Sequence, residues 1–538
     1  MLSAATRRVI RFLSSRADQG GQALLFAVIA IALLASIPIA ITTETVNQLP
    51  QTTRNLSWDD AYEAAQAGLN DYLQHLDADS SYGNEYNSGN CTSSASPCGN
   101  PAFYQWVSLS SSPPEYYAYS PTVTQSGLIS LDVSGKAGTG RTAVVRTFSY
   151  MVRPASSLND VYWSNYESLD PVVAATEPGG PNDCGAVYYG QGGGPASDCV
   201  VSFATGDELN GPVFTNDTYH YCGSPKFDST LESGNIYSNL IIVQTSGNGC
   251  NGNPSYAVTP TQVSNQTPQS SEVDLGPARN YGCFIAGTSG GNPTMTTTTM
   301  TLSVSGSGAT ATTKVAWSGG TVQNASTNHN SCTSPITLST LSSGLIFVDG
   351  NVNISGAMTG GLDVVSCSGT GSGYAGCNST TPSNITITGS LTYPSANITN
   401  VGTSPVNGTP EPYSDTTDTL GLIAQNSVIV GLNIHPNITI DAAILALKDS
   451  FYVSGWYNTT PNNLGYLNVF GSIAQNFRGP VGLVGGASGY SKNYSYDTSL
   501  GQEWPPYFIP PTGAVWAPTS YEECSPGNND SVLNNENC

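Results

Sequence analysis

The chain has few charged residues and very few cations. Only 10% of its 538 residues are charged, with 37 Asp and Glu against 15 Lys and Arg, and the formal net charge is −22. Four of the cations, Arg7, Arg8, Arg11 and Arg16, lie in the first sixteen residues. Nucleic acids and anionic lipid surfaces need clustered Lys and Arg for binding, so the composition beyond residue 16 argues against both as partners. The polarity comes instead from Ser, Thr, Asn and 58 Gly, which favours turns and short strands.

Zinc-type cysteine spacing is also missing. The chain has no CxxC pair and no HExxH, and it contains only four histidines. Its cysteines are even in number, and an exported chain is expected to hold them as disulfides. The spacing does not fix the connectivity, and pairing neighbours in order is the working assumption. The twelve disulfide candidates are Cys91, Cys98, Cys184, Cys199, Cys222, Cys250, Cys283, Cys332, Cys367, Cys377, Cys524 and Cys538.

No motif predicts catalysis. The run from Gly287 to Gly291 matches Gly-x-Ser-x-Gly, but it lacks the strand–turn–helix setting that gives this pattern its meaning. Three aspartates follow or lie within β-like runs, and carboxylates on adjacent coils of a β-helix can form a site that cleaves polysaccharides. They are Asp349, Asp363 and Asp441. The simpler interpretation is that each ends a strand or caps a turn. We therefore predict that the chain is not an enzyme and needs no cofactor.

A metal site has equally weak support. An acidic loop with Glu411, Asp415 and Asp418 has the ligand chemistry of a Ca²⁺ site, but it is equally a solvated turn. The histidines lack paired spacing and are interpreted as surface or packing residues. They are His75, His220, His329 and His435.

The longest apolar run is ALLFAVIAIALLASIPIAI, from Ala23 to Ile41. A helix of this length spans about 28 Å, close to the roughly 30 Å hydrocarbon core of a bilayer. The arginines precede the run and Glu44 follows it, so the positive-inside rule predicts a cytoplasmic N-terminus. A cleaved signal peptide and a twin-arginine signal are the alternatives. We predict a single-pass cytoplasmic membrane protein whose C-terminal region is extracellular.

A second helical pattern follows the apolar run. Ser57 can cap a helix with Asp59 and Asp60 in its first turn. Apolar residues then recur at steps of three and four as far as Leu76, which gives the helix one apolar face. This amphipathic continuation must pack against something outside the membrane.

The basic leader ending in glycine, the apolar helix and the segment AYEAAQAGLNDYLQHL together resemble PilX-type pilus-assembly proteins and the large minor pseudopilins of type II secretion. The resemblance covers about 60 residues. It implies cleavage by a prepilin peptidase after Gly20 or Gly21, which leaves Gly21 or Gln22 as the new N-terminus. It also implies that the N-terminal helix packs against other pilin or pseudopilin subunits.

One departure from major pilins concerns the charge at the new N-terminus. Major pilins carry a glutamate five residues past the cut, where this chain has Leu25 or Phe26. An unpaired ammonium in a low-dielectric fibre core is costly, so the chain is poorly suited to the repeating fibre body. Similar large pseudopilins that lack the glutamate are placed at the tip. The alternative is that the chain never polymerises.

The region after the helix is predicted to be β-rich. In the last third, Val352–Gly356, Ile385–Gly389 and Leu467–Gly471 share the pattern apolar-x-apolar-x-Gly, and Leu302–Gly306 matches it as well. Short strands closed by glycine turns can stack as rungs of a parallel β-helix. We therefore predict a mainly β fold with one long N-terminal helix (transmembrane plus amphipathic) and a right-handed parallel β-helix-like C-terminal domain; a β-sandwich is the alternative.

These patterns divide the chain into five segments. They are a basic cytoplasmic leader at 1–21, a pilin-like helix at 22–78 with its membrane span at 23–41, an exported β-rich region at 79–337, a β-helix-like domain at 338–488 and a Pro- and aromatic-rich extension at 489–538.

Three aromatic clusters are candidate contact surfaces for sugars or proteins, and core packing is the default interpretation for at least two of them. The expected function is that of a structural minor pilin-like subunit at the filament tip or in assembly initiation, which presents its β domain for adhesion to a surface glycan or protein. The alternatives are a membrane-anchored adhesin outside any filament and a polysaccharide-active enzyme. The clusters are Tyr116, Tyr117 and Tyr119; Tyr162, Trp163 and Tyr166; and Trp504, Tyr507 and Phe508.

Overall fold

A computed structural model shows a mainly β protein. The ranges that it describes include most of the chain from residue 105 to residue 524. They are 56–78, 82, 105–123, 129–140, 143–154, 156–176, 184–245, 250–267, 275, 282–286, 297–306, 310–322, 332–341, 343–369, 377, 382–394, 418–431, 436–457, 463–484, 488–501, 503–508 and 515–524.

Two α-helices occur in these ranges, α1 at 56–78 and the six-residue α2 (Pro171–Thr176). Helix α1 begins one residue before Ser57 and buries most of the face that the periodicity predicts, although Trp58 and Tyr62 of that face are exposed. Ala61, Ala65, Leu69 and Leu76 are all less than 5% exposed.

Strands make up most of the remaining structure. In chain order they are β1 (Val107–Ser111), β2 (Pro114–Val123), β3 (Ile129–Ala137), β4 (Val144–Pro154), β5 (Tyr162–Tyr166), β6 (Phe203–Ala204), β7 (Glu208–Asn210), β8 (Val213–Thr215), β9 (Tyr219–Cys222), β10 (Lys226–Phe227), β11 (Leu231–Ser233), β12 (Ile242–Gln244), β13 (Ser255–Tyr256), β14 (Thr261–Gln262), β15 (Cys283–Ala286), β16 (Thr297–Ser305), β17 (Thr312–Ser318), β18 (Thr321–Val322), β19 (Ile336–Thr337), β20 (Leu345–Asp349), β21 (Asn351–Ala357), β22 (Gly361–Cys367), β23 (Ile385–Thr392), β24 (Thr419–Ala424), β25 (Val428–Val430), β26 (Thr439–Ala446), β27 (Phe451–Val453), β28 (Tyr466–Phe477), β29 (Ser491–Tyr496) and β30 (Trp516–Glu523).

Helix α1 packs on an antiparallel sheet in the order β1-β2-β3-β4-β30. We call the helix and this sheet the base unit. Its core joins Leu69 and Tyr72 of the helix to Leu131 and Val133 of β3 and Phe148 of β4. Close approach requires a glycine at one point, because a Cβ on Gly135 would lie 1.9 Å from the carbonyl oxygen of Ala61.

The other large sheet is a stack of short parallel strands, which we call the solenoid. One row of parallel neighbours runs β15-β20-β22-β24-β26-β28-β5-β8-β11-β14. A second row runs β16-β21-β23-β25-β27. A third joins β28, β29, β7, β10 and β13. The pairing is parallel throughout these rows, so the sandwich alternative does not describe them.

The order of coils in the solenoid differs from the order in the sequence. Strands β28 and β29, at the C-terminal end of the solenoid sequence, pair with β5 and β7, which are near its beginning. We call this contact the seam. It places the entry of the chain into the solenoid beside its exit, in the middle of the stack.

The first row is buried on both faces from β15 to β8, which explains the nearly continuous apolar sequences of these strands. Inward side chains such as Val364, Leu422 and Ile444 fill the solenoid core. Outward side chains such as Val365 and Ile423 lie in a second core. Residues 503–508, which we call the strap, contribute Trp504 and Phe508 to that second core.

Four disulfides are present in the described ranges. Each joins two cysteines with no other cysteine between them in the sequence. Cys524 is also disulfide-bonded, and Cys91, Cys98 and Cys538 lie outside those ranges. The pairs are Cys184–Cys199, Cys222–Cys250, Cys283–Cys332 and Cys367–Cys377. They indicate an oxidising, extracellular compartment.

The predicted fold class is wrong in its helical part. The sequence led to one long helix that combined a membrane span with an amphipathic continuation. No helix in the described ranges is long and apolar enough to cross a membrane. Helix α1 is apolar on one face only and carries Asp59, Asp60 and Glu63 near its start. The predicted leader and span, at 1–21 and 23–41, lie outside the described residues.

The predicted localisation needs the same correction. A single-pass cytoplasmic membrane protein with a cytoplasmic N-terminus requires a spanning helix, and none is found among the residues that the structure describes. Hydropathy reports the polarity of a segment and does not by itself establish its folded arrangement.

Candidate functional site

An exposed aromatic patch lies at the start of α1. Leu56 is 57% exposed, Trp58 37% and Tyr62 39%, and Tyr521 on the neighbouring strand β30 is 69% exposed. Trp58 and Tyr62 are four residues apart, so they lie on the same face of the helix. We call these four residues the base patch. It lies at the N-terminal end of α1, where the described residues begin.

Arg146 holds the base patch together. Its guanidinium carbon lies 4.9 Å from the ring centroid of Trp58 and 5.3 Å from that of Tyr62. Its Nε and Nη2 donate to the two carboxylate oxygens of Glu523 at 2.8 and 3.0 Å. The bidentate pair fixes the guanidinium plane, and the two rings stack against it. The patch is therefore ordered before any partner binds.

A second aromatic feature crosses the seam. Phe477 stacks on Tyr166 at 4.9 Å between ring centroids, Tyr166 on Tyr188 at 4.5 Å, and Tyr188 on Tyr237 at 5.7 Å. We call these four rings the aromatic ladder. Exposure increases along it, from 8% at Phe477 to 46% at Tyr237. Ile236 and Leu240, beside Tyr237 in the sequence, are 71% and 51% exposed.

Hydrogen bonds and a disulfide fix the loops that carry the ladder. The Cys184–Cys199 disulfide closes the loop that contains Tyr188. Buried Asp217 accepts from the backbone N–H of Tyr189 at 2.7 Å, and Asn235 donates to the Tyr189 carbonyl at 3.0 Å. Burial raises the pKa of Asp217 to about 6, against the opposing effect of its backbone donors.

The predicted catalytic carboxylates are not brought together into a site. Asp363 accepts from the backbone N–H of Tyr507 and so fixes the strap. Asp441 accepts from the backbone N–H of Tyr393 at 2.9 Å. Burial raises the pKa of Asp363 and of Asp441 to about 7. Asp349 ends β20 and accepts from the backbone N–H of Gly369 at 3.4 Å.

The acidic loop is only partly within the described ranges. Asp418 accepts from the Thr359 hydroxyl and the Gly360 N–H, both at 2.7 Å, beside an open cavity of about 330 Å³. Glu411 and Asp415 lie outside the described residues. Within those residues no three His, Cys, Asp or Glu side chains form a group that can hold a metal ion.

The predicted histidines and processing residues do not form a site among the described residues. His220 is buried, and burial followed by the nearby Arg478 charge lowers its pKa to about 4. His75 lies on α1 and stacks on Tyr82. Outside the described residues are Gly20, Gly21, Gln22, the Gly287–Gly291 run, His329 and His435.

The three predicted aromatic clusters contain both core and surface residues. Tyr119, Tyr162, Trp163, Trp504 and Phe508 are all buried. Tyr166 is the member that reaches the aromatic ladder. No sequence pattern marked Tyr188, Tyr237, Trp58 or Arg146 as a functional residue. One sequence feature could have indicated the outer end of the ladder. It is the uncharged turn Tyr188-Tyr189-Gly190, which lies in a glycine-rich loop between two cysteines.

Comparison with known proteins gives little further information. No family model matches the chain, and no curated protein matches it. Among solved structures, it is similar to the competence-associated pilin ComZ from Thermus thermophilus, with 13% identity over 86% of this chain and 97% of that one. The TM-score is 0.27, a value too low to support an argument about fold or function.

Proposed function

We propose that the chain is a structural, non-enzymatic subunit of a type IV-like pilus or related secretion filament, in which it displays the solenoid at the tip for adhesion. One observation carries this proposal. The solenoid is inserted between β4 and β30, which are adjacent antiparallel strands of the base sheet. The base unit thus holds both ends of a large β domain.

The attachment of the solenoid is stiff. Only residues 155–161 separate β4 from β5. Arg153 Nη1 donates to the carbonyls of Leu500 and Gly501 at 3.2 and 3.1 Å, which ties the end of β4 to the chain that leaves the solenoid. Two connections, the first of them only seven residues long, restrict bending more than one flexible linker, as a subunit that displays a domain from a filament requires.

The N-terminal sequence supports the filament role independently. Cleavage by a prepilin peptidase after Gly20 or Gly21 would give a mature chain that starts at Gly21 or Gln22. Without a glutamate five residues later, the chain suits the end of a filament better than its body. Other pilin or pseudopilin subunits would contact its N-terminal helix and the base patch.

Replacing the base patch rings should remove the chain from filaments. We expect Trp58→Ala/Tyr62→Ala to reduce its amount in sheared filaments at least tenfold, because exposed aromatic anchors commonly dominate interface energies. Quantitative immunoblotting of the sheared fraction against the whole-cell fraction measures the effect.

Leu109→Ala is the matched control for this variant. Leu109 is 47% exposed on β1, at the opposite edge of the base sheet from β30. Incorporation of both variants at the wild-type level would show that the base patch is not the contact. Absence of the wild-type chain from filaments would favour the alternative, a surface adhesin that joins no filament.

A further inference from the structure

The outer end of the aromatic ladder has the form of a ligand platform. Tyr237 stacks on Tyr188 through one ring face and remains 46% exposed. Its hydroxyl lies 3.5 Å from Gln191 Nε2, so a polar group borders the ring. An exposed aromatic face bordered by an amide is suited to a ligand that has both C–H faces and hydroxyl groups.

The platform is rigid before a ligand binds. The N–H of Tyr237 donates to Asn235 Oδ1 at 2.8 Å, and Asn235 Nδ2 donates to Thr218 Oγ1 at 2.9 Å. Tyr188 OH donates to Asn165 Oδ1 at 2.9 Å, which fixes the ring beneath Tyr237. A fixed ring loses little conformational entropy on binding, so even a weak stacking contact contributes to affinity.

The charge around the platform selects among ligand classes. Residues 184–197 and 233–245, which carry Tyr188, Gln191 and Tyr237, contain no charged side chain. Acidic glycans and acidic peptides find no cation there, and the chain as a whole has a net charge of −22. Neither segment offers a carboxylate to a cationic ligand, and the nearby Asp217 carboxylate is buried and hydrogen-bonded to the loops.

We propose that the aromatic ladder binds a neutral polysaccharide, with one sugar ring stacked on Tyr237. This inference rests on the proposed display function and names the class of ligand that the displayed domain binds. Ile236 and Leu240 extend the apolar surface beside the ring, and the hydroxyl of Tyr237 and the amide of Gln191 meet sugar hydroxyls.

The test uses the purified full-length chain in affinity electrophoresis and in pull-down with cellulose, chitin, mannan and β-1,3-glucan. Alginate provides the acidic comparison. We expect retention by at least one neutral polysaccharide and none by alginate. Tyr237→Ala should weaken that retention about tenfold, and Tyr237→Trp should keep it, because the tryptophan restores a stacking face.

Leu109→Ala is the matched control, because Leu109 is 47% exposed on β1 of the base unit, about as exposed as Tyr237, and is not part of the ladder. It should bind like the wild type. Failure of all four neutral polysaccharides, retention by alginate, or unchanged binding by Tyr237→Ala would each overturn the inference. None of these results depends on filament incorporation, so this failure is distinguishable from failure of the proposed function.

Discussion

Glu167→Gln should lower the melting temperature by roughly 5–10 °C, the largest effect that we expect from a nearly isosteric change. Glu167 and Arg478 form an ion pair of 2.5 Å across the seam, with side chains 0% and 1% exposed. The substitution leaves the guanidinium buried without a counter-charge. Breaking a buried pair in this way typically costs about 3–5 kcal/mol. Circular dichroism during heating measures the change.

The other contacts of Glu167 make the loss of stability greater than the loss of one ion pair. Its Oε1 also accepts from Tyr162 OH at 2.9 Å and from Ser164 Oγ at 2.5 Å. The Arg478 guanidinium carbon lies 3.6 Å from the centroid of the Phe203 ring, so it cannot reach solvent without repacking the core. The network joins residues 311 positions apart in the chain and holds the two parts of the solenoid together.

Two further variants test whether the lower melting temperature comes from the unpaired buried charge or from any substitution at an ion pair. Glu208→Gln breaks the pair with Lys226, whose side chain is 51% exposed, and should cost less than about 1 kcal/mol. Glu167→Gln/Arg478→Met should recover much of the lost stability, because an apolar side chain replaces the unpaired charge. If Glu167→Gln melts like Glu208→Gln, the seam does not depend on this pair.

Raising the pH from 4 to 7 should destabilise the folded chain. Burial raises the pKa of Asp363 and of Asp441 from an ordinary 3.8 to about 7. Between these values the folded state keeps protons that the unfolded state has released, so the stabilisation is complete below pH 4 and is lost as the pH passes 7. Each group contributes up to about 1.4 kcal/mol per pH unit.

Further buried groups act in the same window. Asp170, beside Asp449, also has a pKa raised to about 7, chiefly by burial and then by the charge of its neighbour. His220 opposes the trend, because its lowered pKa of about 4 removes stability as the pH falls below 6.5. The buried carboxyls with raised pKa, Asp217 among them, outweigh one imidazole, so we expect the chain to melt at a higher temperature at pH 4.5 than at pH 7.5.

Asparagine variants identify the responsible groups. Asp363→Asn and Asp441→Asn resemble the protonated carboxyl, so each should melt at a higher temperature than the wild type at pH 7.5 and at about the same temperature at pH 4.5. Asp198→Asn, at an exposed position, should follow the wild type throughout. A wild-type chain that melts higher at pH 7.5 than at pH 5 would refute the assignment.

Parts of the architecture can be recognised from local patterns. The three-and-four spacing from Ala61 to Leu76 corresponds to the buried face of α1. The glycines of the apolar-x-apolar-x-Gly pattern mark real constraints at two positions. Gly356 has φ 124° and Gly471 has φ 149°, and a Cβ at either would lie 2.0 Å from a neighbouring carbonyl oxygen.

Other features depend on contacts between distant residues, which no local pattern encodes. The seam joins β28 to β5, and neither strand contains a sign of its partner. The pairing of β30 with β4 is equally absent from local sequence patterns, because β30 follows the whole solenoid in the sequence. The aromatic ladder is formed by this folding, since Phe477 and Tyr166 become neighbours only when the seam closes.

The first residue of the mature chain in a sheared filament fraction tests the central claim most directly. We expect mass spectrometry of the N-terminal peptide to show a start at Gly21 or Gln22, as a filament subunit processed by a prepilin peptidase requires. A chain that keeps Met1, or one that is released free into the medium after trimming beyond Ala40, would contradict the account.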